Sequence, residues 1–184
     1  MKEFCGRFVS LVLWVLWTLI VLGIDPGSML CGWALLERDG ATPPKWLDGG
    51  RAPAELILAQ HADRASLVAV EWLARGLFDR RRHDALMATA RVEGGLAWAL
   101  SRGSVPWMTL SAGQWRSDVV GRASPSDAEI ETMLRRRVVG IPTPPKISKA
   151  VLVHALDALG VAYAAAYRPG KQVALPMRRI REAR

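Results

Sequence analysis

The sequence predicts a single α/β domain: a mixed sheet of five strands, the first three antiparallel, flanked by helices. Three observations lead there. Short apolar runs rich in Leu, Ile and Val end abruptly in turn residues or in an acid, as Leu19–Ile24 does before Asp25-Pro26-Gly27. The first three such runs are joined by short, turn-rich segments, which is hairpin spacing. From residue 53 onward strand patterns alternate with helical ones, which calls for crossover connections and parallel pairing.

Leu19–Ile24 reads as a buried strand, because Pro26-Gly27 cannot continue a central one. Met29–Glu37 reads as the second strand and Lys45–Asp48 as the third, separated by Asp39-Gly40-Ala41-Thr42-Pro43-Pro44. Pro53–Ala62 fits a short helix with proline near its first turn. Leu67–Glu71 is a fourth strand that again stops at a carboxylate. Ala85–Leu100 has helical periodicity, and its Gly94-Gly95 pair is expected to mark close packing against the sheet. Val105–Leu110 is a short fifth strand, followed by helices over Gln114–Val120 and Ser126–Val138, the latter with Asp127 and Glu129 in its first turn. A last long helix covers Ser148–Tyr167.

At 184 residues and 51% hydrophobic content the chain suits one domain with a sizeable core. A net charge of +8 favours a polyanionic partner, since neutralising phosphates releases counterions. Cys5 and Cys31 form no CxxC pair and the three histidines are scattered, which argues against a disulfide framework or a zinc finger and for a reducing, cytoplasmic setting. Phe8–Ile24 is nearly unbroken in its apolar character and follows Lys2 and Arg7, a pattern shared with export signals and membrane anchors. If Leu19–Ile24 is a strand, Phe8–Trp17 is too short to span a bilayer, so a membrane role is not expected. The chain thus divides into an apolar extension (1–18), a folded domain (19–168) and a basic tail (169–184).

Two strands ending in Asp25 and Glu71 would bring two carboxylates within reach of a shared cation. The last helix adds His154 and Asp157, whose i, i+3 spacing puts them on one face. Their neighbours Val151, Leu152, Leu156 and Leu159 are apolar, and an acid in such company is costly unless paired or metal-bound.

These residues resemble those of the RuvC-type Holliday-junction resolvases, a family of the ribonuclease H-like fold. The likeness rests on Ile20-Val21-Leu22-Gly23-Ile24-Asp25-Pro26-Gly27-Ser28 with Gly32, on Val68-Ala69-Val70-Glu71, and on the helix around Ala90-Arg91-Val92-Glu93-Gly94-Gly95. It continues through Gln114-Trp115-Arg116 to Val119-Val120-Gly121, and ends in His154-Ala155-Leu156-Asp157-Ala158-Leu159. The resemblance implies a homodimeric endonuclease that resolves four-way DNA junctions by paired symmetric nicks. It also implies an active site of Asp25, Glu71, His154 and Asp157 holding two Mg²⁺ or Mn²⁺ ions. Asp25 would bridge the ions, and protonation of His154 would lower activity.

Arg116 stands where the family has a DNA-contacting lysine, and Arg80-Arg81-Arg82 just beyond Glu71 is a candidate phosphate grip. The helix over 85–100 is the candidate dimer interface. A second family lysine is replaced by Asp127, and the aromatic that wedges between bases is absent at Ala74, leaving Trp72 or Phe78 as substitutes. The segment before Glu71 is shorter than in familiar cellular members, which points to a divergent branch and admits a phage origin. The rival readings are a ribonuclease H-like nuclease for other branched DNA or RNA, and a non-catalytic DNA-binding or membrane-associated homologue. The residues indicate neither a cleavage sequence nor a partner helicase.

Overall fold

The computed structural model describes residues 18–40, 42–73 and 83–168. Five strands, β1 (Leu19–Asp25), β2 (Cys31–Arg38), β3 (Lys45–Ala52), β4 (Leu67–Trp72) and β5 (Trp107–Ser111), form one sheet in the order β3-β2-β1-β4-β5. The β1–β2 and β2–β3 pairs are antiparallel, whereas β1–β4 and β4–β5 are parallel. The helices are α1 (Ala54–His61), continued by a short 3₁₀ turn, α2 (His83–Arg102), α3 (Ala112–Val120), α4 (Asp127–Arg137) and α5 (Lys149–Ala166). This is the mixed sheet expected from the sequence.

The period-2 alternation of the strands divides the core into two layers. Leu22, Ile24, Trp33, Leu35, Val68 and Val70 face one way, onto Ile57 of α1 and Leu96 and Leu100 of α2. Val21, Ala34, Leu36, Ala69 and Leu110 face the other way, onto Trp115, Ile130 and the apolar face of α5. By length and composition α5 could cross a membrane, but 61% of it is buried inside the fold, where it serves as the central core helix.

The approach of α5 to the sheet depends on two glycines. A Cβ on Gly23 would lie 2.0 Å from the Ala158 carbonyl oxygen, and one on Gly32 would lie 2.3 Å from that of His154. Helix backbone therefore rests on strand backbone at both points. Gly23→Ala should destabilise the fold by roughly 3 kcal/mol, because neither partner is a side chain that can swing away. Urea unfolding would measure it.

Three expectations need correction. β3 does not stop at Asp48 but continues to Ala52; Gly49 and Gly50 pair with Ala34 and Trp33, and a Cβ on Gly49 would strike the Trp46 ring at 2.3 Å. Met29 and Leu30 belong to the β1–β2 turn rather than to β2, and Met29 is 84% exposed. Gly94 and Gly95 do not pack on the sheet. Both are exposed, and a Cβ added to either would have nothing within 4 Å, because α2 meets the core through Val92, Leu96 and Leu100 on its opposite side.

Candidate active site

The parallel register pairs Ile24 with Val70, so the next residues, Asp25 and Glu71, leave β1 and β4 side by side at their carboxyl ends. In open α/β sheets this end of the parallel strands is where ligands are bound. α5 crosses above it on the glycine contacts and delivers His154 and Asp157. His154 Nδ1 lies 3.7 Å from Asp25 Oδ2. The three acids and the histidine expected from the sequence are thus brought to one place.

Burial and mutual repulsion shape their electrostatics. Each of the three carboxyls is pushed up to about 7, first by burial and then by another member of the set: Asp25 by Asp157, Glu71 by Asp25, and Asp157 by Glu71. Arg116 opposes the rise at all three. Burial, and secondarily Arg51, lowers the His154 pKa, so the imidazole is neutral at pH 7 and its contact with Asp25 is not an ion pair there. A neutral imidazole beside three repelling carboxyls is a donor set that suits a divalent cation. Among the described residues, however, no group of three His, Cys, Asp or Glu side chains already closes on one point, so a bound ion would have to draw the carboxylates inward.

α3 supplies the other side of the site. A capping box between Ser111 and Gln114 starts the helix directly after β5. It then places fully buried Trp115 with Nε1 donating to Glu71 Oε2 at 2.9 Å, and Arg116 with its guanidinium 5.2 Å from the Trp115 ring centre. The Arg116 Nε is buried without a hydrogen-bond partner. Asp127, at the start of α4, adds to the rise of the Asp157 pKa, so the position expected to hold a phosphate-binding lysine carries a like charge instead.

Two participants do not stand out in the sequence. Trp115 carries no local sign of a role beyond its place in the motif. Glu93 of α2 is 4% exposed and accepts a hydrogen bond from the Leu73 N–H at 2.7 Å, which ties α2 to the chain just past Glu71. Its i, i+3, i+7 spacing with Leu96 and Leu100 is the available signal of a buried acid. Arg80, Arg81, Arg82, Ala74 and Phe78 lie outside the described residues, as do 1–17 and 169–184. Trp72 is half-buried at the end of β4.

No family model matches the chain. Curated relatives do. The crossover junction endodeoxyribonuclease RuvC of Rhodococcus jostii (strain RHA1) is 27% identical over 159 residues, covering 80% of this chain and 81% of the relative. That of Anaeromyxobacter dehalogenans (strain 2CP-C) is 34% identical over 106 residues, 58% of this chain and 50% of the relative. Among solved structures, Thermus thermophilus RuvC superposes with a TM-score of 0.60 at 22% identity, covering 80% of this chain and 93% of that one. The yeast mitochondrial Holliday junction resolvase Ydc2 gives 0.57 at 12% identity, covering 86% and 84%. The sheet order, with acids at the ends of β1 and β4 and a third on the helix above, is that of the ribonuclease H-like fold. Within that fold the curated relatives the chain matches are RuvC-type resolvases, so its likeness is to that family.

Proposed function

We infer that this chain is a structure-selective endonuclease that resolves four-way DNA junctions by paired, symmetric nicks. The observation that carries the reading is the juxtaposition of Asp25 and Glu71 on adjacent parallel strands beneath His154 and Asp157 of α5. A divalent metal, Mg²⁺ or Mn²⁺ and two per site, would activate a water and stabilise the leaving 3′-oxygen when bound. Asp25, Glu71 and Asp157 would supply the carboxylate oxygens that hold it. Neutral His154 is available as a nitrogen donor or as the acceptor of the water proton.

Arg116 fits a phosphate contact, because its buried, unpartnered Nε–H would gain an acceptor there and its charge stands beside the acids. Arg80, Arg81 and Arg82 are proposed to extend that contact.

A junction needs two matched cuts, so we also propose a homodimer, formed through the outward face of α2. Met87 and Trp98 are 43% and 64% exposed on that face, with the open Gly94-Gly95 step between them. A two-fold interface could set each Trp98 against the other protomer's glycines. Trp98→Glu should convert the dimer to monomers at micromolar concentration, read by sedimentation velocity. A cytoplasmic location goes with this reading, and a membrane pellet resistant to high salt would overturn it.

The test of the function is incubation with a synthetic four-way junction, a flap and a linear duplex, each with Mg²⁺, Mn²⁺ or EDTA. Metal-dependent cutting of the junction in preference to the others is expected. Equal cutting of linear duplex would sink the resolvase reading.

A further inference from the structure

Glu71 is held from behind by a side chain that the proposed chemistry does not use. The Trp115 indole donates to Glu71 Oε2, and its ring lies in a notch on α5 that exists only because residue 160 is glycine. A Cβ at Gly160 would sit 2.5 Å from the ring's Cζ3. The capping box fixes the start of α3 and the notch fixes the ring, so the N–H is aimed by two elements at once.

We propose that Trp115 is a positioning residue for Glu71: by holding one carboxylate oxygen it presents Glu71 to a cation through the other, which favours small ions over large ones. The proposal rests on the metal-binding reading of the site. Mg²⁺ demands near-octahedral geometry and takes carboxylates through single oxygens, whereas Ca²⁺ accepts more ligands and readily takes both oxygens of one carboxylate. Freeing Oε2 therefore removes a constraint that works against the larger ion. It also loosens the ligand for the smaller one, since partners behind a metal ligand typically matter by about 10–100-fold in affinity.

The experiment is calorimetric titration of the full chain with MgCl₂ and with CaCl₂, for the wild type, Trp115→Phe and Asp25→Asn. Trp115→Phe should weaken Mg²⁺ binding by about tenfold while Ca²⁺ affinity holds or rises, so that the preference for Mg²⁺ shrinks. A general loosening of the fold would weaken both ions alike and would overturn the proposal. If the wild type binds no Mg²⁺, or Asp25→Asn binds it as well as the wild type, the reading of the site itself fails and this proposal falls with it. If binding depends on Asp25 and Trp115→Phe keeps the wild-type selectivity, only the role of Trp115 is overturned. Gly160→Ala retains the indole but displaces its ring, and should shift the selectivity in the same direction. Should neither variant fold, the wild-type protein still decides the matter. The indole N–H resonance that Glu71→Gln displaces should move on adding Mg²⁺, and a resonance that stays fixed at saturating metal would overturn the assignment.

Discussion

Asp25→Asn will abolish junction cutting, lowering the rate by roughly 10³-fold or more, because the neutral amide cannot supply the anionic oxygen proposed here to hold the cation. Junction binding should survive. The DNA contacts proposed here belong to Arg116 and to Arg80–Arg82, and removing a negative charge next to Arg116 if anything favours a polyanion. A gel-shift titration alongside the cleavage assay separates the two effects; loss of binding together with cutting would show that Asp25 has a structural role. The substitution should also stabilise the metal-free protein at pH 8. It deletes one of three buried, mutually repelling charges, a gain of roughly 1–3 kcal/mol at a partly solvated site.

The second large effect is on pH. Asp25, Glu71 and Asp157 have folded-state values of about 7, well above the ordinary carboxylate range. Between about pH 4 and pH 7 these three groups bind more protons in the native state than in the unfolded chain, and outweigh the opposite, smaller contribution of His61 and His154, so stability without metal should fall as pH rises through that window. Above it both states are ionised and the loss levels off. With divalent metal the direction reverses for binding, because protons and cations compete for the same oxygens. Metal affinity and cutting rate should climb as pH increases through about 7. Thermal unfolding in EDTA at pH 5 and pH 8, set against the same pair in Mg²⁺, checks both signs. A metal-free protein that is more stable at pH 8 would contradict the electrostatics described for the site.

The acids were legible in the sequence because each interrupts a pattern. Asp25 and Glu71 end apolar strands, and Asp157 sits in a helix whose neighbours are otherwise apolar, so each stood out against a background that local physics explains. The mixture of antiparallel and parallel pairing followed from the short connections before residue 53 and the longer ones after it, whereas the order of the strands came only with the structure. What could not be read was decided by contacts across the fold. Gly49 and Gly50 look like a turn, yet they pair with Ala34 and Trp33 in β3, and the Trp46 ring occupies the space a side chain at Gly49 would need. Gly94-Gly95 gives no local sign of which way it faces, and only the burial of Leu96 and Leu100 turns it outward. The Trp115–Glu71 hydrogen bond joins residues 44 positions apart, beyond the reach of any periodicity.

Where main chain lies directly on main chain, as α5 does over Gly23 and Gly32, no side chain acts as a spacer. The gap between the main chain that carries the carboxylates of the sheet and the main chain that carries that of the helix is consequently a fixed gauge. Exchanging apolar residues elsewhere in the core can change how firmly the domain is held together without altering that gauge. Apolar positions of α4, and those of α3 and α5 away from Trp115, Arg116 and Gly160, can therefore change with the backbone spacing at the site kept. An engineer wishing to retune the metal preference would have to work on the ligands and on the group behind Glu71, since the thickness of the protein at this point offers nothing to adjust.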